Sequence, residues 1–199
     1  RLAIWSPNCA EWVLTQFASA KAGLVLVNIN PAHLGSELEY SLNQVGCKAL
    51  ILAPRFKQTD YIAILHSLSP EMLDQPTHEW RSASVPSLRS VIRLGLDHTP
   101  GMFNFDELLR PADADDLARL AERAARLQFD DAINIQFTSG TTGAPKGAML
   151  THHNILNNGY FNARALNLGP GDKLCIPVPL YHCFGMVMGN LGCVSSGAT

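Results

Sequence analysis

Short apolar runs alternate with helix-like patterns along the first half of this 199-residue chain, and this alternation restricts its fold most strongly. Residues 24–27 are apolar at every position, as in a strand of a parallel sheet covered by helices on both faces. Residues 2–5 and 49–53 are similar runs. Helical spacing lies between the runs, and Gly23 and Gly46 stand where the helices should end. The pattern predicts an α/β fold with a largely parallel sheet flanked by helices in α/β/α layers.

The predicted helices carry recognisable start signals. Asn8 with Glu11, and Ser36 with Glu39, have the spacing of a capping box, so both pairs are expected to cap a helix. A later helix is predicted over residues 113–127, with leucines on one face and a solvated charged face opposite.

A further strand is predicted at residues 133–137. Ile133, Ile135 and Phe137 alternate with Asn134 and Gln136, which indicates one buried face and one wetter face.

A stretch rich in glycine and hydroxyl groups follows this strand, over residues 138–147. Its glycines let backbone N–H groups approach an anion closely, and Lys146 adds a compact positive charge. A return strand over residues 147–150 would make the stretch a hairpin connection, and Thr151 would then cap a helix. The residues predicted to bind phosphate are Thr138, Ser139, Gly140, Thr141, Thr142, Gly143, Lys146 and Gly147.

Two common phosphate-binding patterns do not fit this stretch. A Walker A loop requires glycine five residues after its first glycine, where this chain has Pro145, and serine or threonine after the lysine, where it has Gly147. The dinucleotide fingerprint is also absent. From the residues alone, the alternative is a glycine-rich hairpin turn with a solvated lysine.

The whole stretch 138–147 resembles the phosphate-binding signature of the adenylate-forming superfamily, which includes acyl-CoA synthetases, peptide-synthetase adenylation domains and luciferase. The resemblance continues upstream through residues 21–23 and 27–31, and downstream through residues 179–186. Residues 37–40, Glu-Leu-Glu-Tyr, look most like those of fatty acyl-CoA synthetases.

This resemblance implies an AMP-forming acid–thiol ligase that uses ATP, Mg²⁺ and coenzyme A. A fatty acid, of medium or long chain, would attack ATP to give acyl-AMP and pyrophosphate, and coenzyme A would then displace AMP. His182 and Lys146 would be the catalytic residues, and Thr138 would contact Mg²⁺. The residues implied to border the acyl pocket are His182, Cys183, Phe184 and Gly185.

Other functions remain open at this point. An adenylation domain or an aryl-CoA ligase of the same superfamily, and a non-catalytic nucleotide-binding module, share the loop. A kinase-like phosphotransferase is disfavoured because neither a Walker loop nor a kinase loop is present.

The resemblance also suggests how the chain is divided. Residues 1–169 would form the first α/β subdomain of a large N-terminal domain, and the Gly-Pro-Gly-Asp cluster that opens residues 170–199 would lead into a truncated second, sheet-containing subdomain. A buried strand turning into a tightly packed helix is expected there. Later family motifs have no counterpart, so we expect a fragment that is inactive when isolated.

The composition limits which classes of partner and which cellular compartments we expect for this protein. The net charge is −2, from 15 basic and 17 acidic residues, which argues against nucleic acid as a partner. Five cysteines without a C-x-x-C pair are typical of reduced thiols. No membrane span is expected, because prolines and glycines interrupt the apolar segment 174–194. These features favour the cytoplasm, and they leave mitochondrial targeting and the oligomeric state open.

Overall fold

A seven-stranded sheet forms the centre of the molecule, in the order β7-β6-β3-β1-β2-β8-β9. The computed structural model describes residues 1–77, 80–138 and 144–199. Within these ranges β9 is the only antiparallel strand of the sheet, so the predicted largely parallel α/β fold is confirmed. The strands are β1 (Leu2–Trp5), β2 (Leu26–Ile29), β3 (Ala49–Leu52), β4 (Arg55–Phe56), β5 (Thr59–Asp60), β6 (Ser90–Arg93), β7 (Phe103–Asn104), β8 (Ala132–Phe137) and β9 (Gly147–Thr151), of which β4 and β5 form a separate small hairpin.

Helices cover the sheet on both faces. The connections β1 to β2 and β2 to β3 run in opposite directions along the sheet, and right-handed crossovers place their helices on opposite faces. The helices are α1 (Ala10–Lys21), α2 (Gly35–Gln44), α3 (Tyr61–Leu68), α4 (Ala114–Ala124), α5 (His152–Ala165) and α6 (Gly192–Ser196), with 3₁₀-helices at Pro70–Asp74 and Phe105–Leu109 and a π-helix at Phe184–Leu191.

This topology opens a crevice beside β2. Helices α1 and α2 leave the carboxyl ends of the adjacent strands β1 and β2 towards opposite faces, so the chain diverges there. Open α/β sheets bind ligands at such a point. On its other side β2 pairs with β8, the strand that leads into the predicted phosphate loop.

Two of the predicted helix caps are wrong. Helix α1 begins after Cys9, without a side-chain cap, because the Asn8 amide is engaged elsewhere. Asn8 Nδ2 donates to Val178 O at 2.9 Å, and its Oδ1 accepts from Leu180 N at 2.8 Å. A tertiary contact with a segment 170 residues later has therefore replaced the local cap.

Helix α2 begins two residues earlier than a cap at Ser36 would require. Its first residue is Gly35, and the Glu37 carboxylate accepts a hydrogen bond from Leu34 N–H at 2.9 Å. The acidic half of a capping box is thus present in a different register. By contrast, the Thr151 cap of α5 is confirmed, since Thr151 Oγ1 accepts from Asn154 N at 3.1 Å.

Helix α4 lies on the surface. It forms within the predicted span and is capped by Asp113, whose carboxylate accepts from Asp116 N–H. Every residue of the helix is at least partly exposed, and Leu117 is 56% exposed, so the predicted apolar face is not buried.

Residues 170–199 are all described, and they contain helix but no strand. The strand expected before the C-terminal helix is therefore wrong: residues 174–183 run irregularly, with Pro177 and Pro179 removing backbone donors. The π-helix and α6 then pack on α5. The division at residue 169 stays a prediction. Within the described residues, no helix is long and apolar enough to cross a membrane.

Candidate active site

A cleft of about 910 Å³ lies at the carboxyl ends of β2 and β8. Its walls come from these two strands, from the start of α2, from β9 and α5, and from the segment before the π-helix. Three sets of side chains meet there: the amides Asn28, Asn30, Gln136, Asn154 and Asn158, the two ends of the predicted phosphate loop at Thr138 and Pro145, and the chain segment Tyr181, His182 and Cys183.

The two ends of the predicted phosphate loop are held together. Strands β8 and β9 pair antiparallel up to Phe137 and Gly147, and Thr138 N–H donates to Lys146 O at 2.9 Å. Lys146 N–H in turn approaches Thr138 Oγ1 at 3.4 Å. The predicted hairpin is confirmed at its ends, with Thr138, Lys146 and Gly147 exposed there. The predicted ligands Ser139, Gly140, Thr141, Thr142 and Gly143 lie outside the described residues.

Helix α2 contacts the far end of this loop. The Tyr40 hydroxyl donates to Pro145 O at 3.0 Å, across 105 residues of sequence. Gly147 lies close to the C-terminal end of the same helix, since a Cβ there would be 3.4 Å from Cγ1 of Val45, the residue that follows α2. Nothing local in the sequence signals these contacts.

His182 sits just before the π-helix, with its imidazole exposed at the cleft. Phe184 N–H donates to His182 Nδ1 at 3.2 Å, and Cys183 Sγ lies 3.6 Å from the same nitrogen. Because Nδ1 accepts this hydrogen bond, the ring proton is assigned to Nε2. The imidazole can therefore present one N–H donor to an anion in the cleft.

The predicted acyl-pocket residues are not all alike. Cys183 lines the cleft with His182, whereas Phe184 is 52% exposed and lies outside the lining residues. Gly185 is buried against the backbone of Pro179, where a Cβ would clash. The role of Phe184 and Gly185 in an acyl pocket stays a prediction.

Buried amides form a network beneath the cleft, which the sequence pattern did not predict. Asn134 was expected on the wetter face of β8 but is 1% exposed. Its Nδ2 donates to Asn28 Oδ1 at 2.9 Å, and Gln136 Nε2 reaches Met186 Sδ at 3.2 Å. Met186 of the π-helix lies over this face, since its Sδ is also 3.1 Å from Asn28 Nδ2. The sequence signal for such a network is an amide side chain in a strand that lies between buried strands, because a buried amide needs hydrogen-bond partners.

His33, at the start of α2, also lines the cleft and was not predicted. Burial lowers the pKa of its imidazole, and the nearby Glu37 carboxylate opposes that shift. The lowered pKa favours the neutral imidazole, whose buried Nδ1 has no hydrogen-bond partner among the described residues.

The described residues of the cleft do not by themselves form a Mg²⁺ site. Thr138 and Glu37 both line it, but the Glu37 carboxylate already accepts from Leu34 N–H, and one hydroxyl is a weak ligand set. Among the described residues, no group of three His, Cys, Asp or Glu side chains could hold a metal ion. Thr138 as a magnesium ligand stays a prediction.

Comparisons with known proteins agree with this architecture. A model of the family described as AMP-binding enzyme matches residues 1–199. The mitochondrial medium-chain acyl-CoA ligase ACSF2 of Danio rerio is 43% identical over 201 residues, covering 100% of this chain and 33% of that protein. The chain thus spans about a third of the length of the curated relatives it matches.

Solved structures show the same fold. The anthranilate CoA ligase AuaEII, in complex with anthranoyl-AMP, superposes with a TM-score of 0.75 at 20% identity, over 100% of this chain and 34% of that chain. Acetoacetyl-CoA synthetase from Streptomyces lividans gives a TM-score of 0.75 at 23% identity, over 100% and 29% of the two chains. With the family model matched from end to end and the cleft built at the strand ends, the chain belongs to the AMP-binding enzyme family.

Proposed function

We propose that this chain forms the phosphate-holding and carboxylate-facing part of an ATP-dependent acyl-CoA synthetase. Its relatives are about three times as long, which supports a longer polypeptide that supplies the remaining groups. The reaction would join a fatty acid of medium or long chain to coenzyme A, with AMP and pyrophosphate as the other products.

The observation that carries this proposal is the meeting of two distant segments in one cleft. Thr138 and Pro145, at the two ends of the glycine-rich loop, line the same cleft as His182. A reaction between a carboxylate and a nucleoside triphosphate must bring two anions together, and this requires donors and cations aimed at both.

In the first step, a carboxylate oxygen forms a bond to the α-phosphorus of ATP, and the bond from that phosphorus to pyrophosphate breaks. Lys146 would bind the β- and γ-phosphates and stabilise the charge that develops on the leaving group. The Nε2–H of His182 would donate to the carboxylate or to an α-phosphate oxygen. In the second step, the thiol of coenzyme A attacks the acyl carbon and AMP leaves.

Carboxylate-dependent exchange between ATP and labelled pyrophosphate tests this proposal in the full-length protein. Fatty acids of increasing length, aryl acids and amino acids are compared. Exchange with fatty acids is expected, and its dependence on length gives the preferred acid. Exchange with aryl acids or amino acids alone would replace the fatty-acid assignment with an aryl-CoA ligase or an adenylation domain.

Lys146→Ala and Lys173→Ala form a matched pair for the same assay. Both lysines are exposed, but Lys173 follows the Gly-Pro-Gly cluster and does not belong to the loop. Loss of Lys146 should lower the exchange rate by about 100-fold, as removal of a preorganised charge-stabilising donor does. Equal rates for the two variants, or no exchange by the unmodified protein with any acid, would favour a non-catalytic nucleotide-binding module.

We also propose an intracellular location, in the cytoplasm or in mitochondria. The free cysteines, two of them exposed, fit a reducing compartment. The relative from Danio rerio is named as mitochondrial. Fractionation of cells that express the tagged full-length protein would decide between the two compartments.

A further inference from the structure

We propose that Asn28 is a positioning residue that holds His182 in place at the cleft. The Asn28 side-chain amide ties the carbonyl of Tyr181, the residue before His182, to the carboxyl end of strand β2. This inference rests on the proposed function, because it assumes that His182 acts on the bound anions.

The contact is short, and the Asn28 side chain is buried. Asn28 is 2% exposed, and its Nδ2 donates to Tyr181 O at 2.9 Å and to Met186 Sδ at 3.1 Å. Its two hydrogens thus reach both sides of His182: the residue before it and the first turns of the π-helix. Among the described residues, Asn28 is the only side-chain donor to the Tyr181 carbonyl.

A second amide fixes which way Asn28 faces. Asn134 Nδ2 donates to Asn28 Oδ1 at 2.9 Å and to Leu26 O at 3.0 Å, so the Asn28 oxygen faces β8 and its nitrogen faces Tyr181. None of these groups titrates near neutral pH. These hydrogen bonds therefore do not change with pH near neutrality. They link Tyr181 through Asn28 to Asn134 on β8, the strand that leads into the phosphate loop.

The backbone on both sides of His182 carries this restraint to the imidazole. His182 N–H donates to Pro179 O at 3.2 Å, while Gly185 and Met186 N–H donate to His182 O at 3.0 and 3.1 Å. The ring is then oriented by Phe184 N–H at Nδ1. Because the Tyr181 carbonyl is bonded to Asn28 on β2, the sheet restrains the position of His182 Nε2 relative to the ends of β2 and β8.

A purely structural role is the competing explanation, and Asn104 supplies a matched control for it. Asn104 is also a buried asparagine, 3% exposed, and its Nδ2 donates to two backbone carbonyls, those of Gly95 and Asp97. It lies on β7, at the opposite edge of the sheet from β8 and β9. Asn104→Leu therefore removes comparable contacts far from the cleft.

The first experiment is a double-mutant cycle on pyrophosphate exchange in the full-length protein. Asn28→Leu should lower kcat by about 10- to 100-fold with little change in the KM for ATP, because a displaced catalytic group affects the transition state most. In a His182→Ala background the same substitution should cost less than about threefold, since the group it positions is gone. Asn104→Leu should leave kcat unchanged in both backgrounds.

Equal losses from Asn28→Leu in the two backgrounds would overturn the inference, as would an unchanged kcat. Inactivity of the unmodified protein with every acid is a different result, because it would reject the proposed function itself. If Asn28→Leu does not fold, Asn28→Ala removes the same donor and leaves room for water, and the same outcomes apply.

The second experiment does not depend on activity. Native-state hydrogen exchange reports the amides of Gly185 and Met186, which are bonded to His182 O. Loss of the Asn28 tie should speed their exchange by about tenfold relative to Asn104→Leu, because the local opening of this segment becomes easier. Equal protection of these amides in the two variants would show that Asn28 does not hold the segment.

Discussion

The phenol of Tyr40, in helix α2, donates a hydrogen bond to the carbonyl oxygen of Pro145 at the far end of the phosphate loop, with 3.0 Å between the two oxygens. The ring is half-buried and anchors the loop end to the helix that packs against the opposite face from α1. This contact makes the position of the loop depend on α2.

Tyr40→Phe should weaken ATP binding and leave the fold intact. One neutral hydrogen bond contributes about 1 kcal/mol, so we expect the KM for ATP to rise by about fivefold. Pyrophosphate-exchange kinetics measure this change. Tyr160→Phe is the control, because the Tyr160 hydroxyl lies 3.2 Å from Arg164 on the exposed side of α5. A comparable rise in KM for both variants would contradict the prediction.

The contact between α5 and the π-helix should not tolerate a methyl group at Gly159. A Cβ there would lie 2.9 Å from both Leu191 Cβ and Val187 O. The clash costs about 1–3 kcal/mol, whereas replacing glycine by alanine in a helix gains about 1 kcal/mol, so we expect Gly159→Ala to be destabilising by up to about 2 kcal/mol.

Denaturant unfolding measures this loss. Gly169→Ala is the matched control, because a Cβ at Gly169 would meet nothing within 4 Å. The control should change the free energy of unfolding by less than about 0.5 kcal/mol. A Gly159→Ala variant as stable as the Gly169→Ala variant would mean that the two helices are less tightly packed than described.

Two histidines should make the protein less stable in mild acid. Burial lowers the pKa of His33 and of His66, with the Glu37 and Asp60 carboxylates respectively opposing the shift. The unfolded chain then binds more protons than the folded one as pH falls below the ordinary histidine pKa of about 6.5, so stability falls with pH.

The measurement is the free energy of unfolding at pH 7.5 and pH 5.5. The double substitution of His33 and His66 by Gln should reduce the difference between these two values. Substituting the exposed His98 by Gln should leave the difference as it is. An unchanged difference in the double variant would show that other groups govern the acid sensitivity.

The cysteines should react with iodoacetamide in an order set by burial. Burial raises the pKa of Cys47 to about 12, and it also raises the pKa of Cys193, whereas Cys175 and Cys183 are exposed. Since the thiolate is the reactive form, Cys175 and Cys183 should be alkylated first in the folded protein, and Cys47 only after unfolding.

Saturating ATP and a fatty acid should then slow alkylation of Cys183, which lines the cleft, but not of Cys175. Peptide mass spectrometry resolves the two sites. Denatured protein, in which burial is lost, provides the reference rates. Equal protection of both cysteines would place the ligands elsewhere or indicate a general change in the protein.

The sequence predicted the elements whose signals are local. The strands around β1 to β3 follow from apolar runs, and the ends of the loop follow from glycines that follow a strand. His182 was proposed as a site residue from the family resemblance, and it lines the same cleft as Thr138. These features depend on residues that are close in sequence or on a recognisable motif.

The features that the sequence missed depend on contacts between distant segments. Asn8 was predicted to cap α1, but it binds residues 178–180 because two tertiary hydrogen bonds are available to its amide. Asn134 was placed on a wetter face because the pattern of one strand does not show which helix will cover it. Local sequence patterns predict that a strand or a helix forms, but the contacts that its polar side chains make depend on the tertiary fold.

The hydrogen bond from Thr138 N–H to Lys146 O joins the two ends of the phosphate loop, directly beyond the pairing of β8 with β9. The pairing of β8 with β9 therefore offsets the entropy cost of closing that loop. For a flexible loop, even a doubling in length adds only about 0.6 kcal/mol to this cost. A change in the length of this loop should therefore have only a small effect on the free energy of folding.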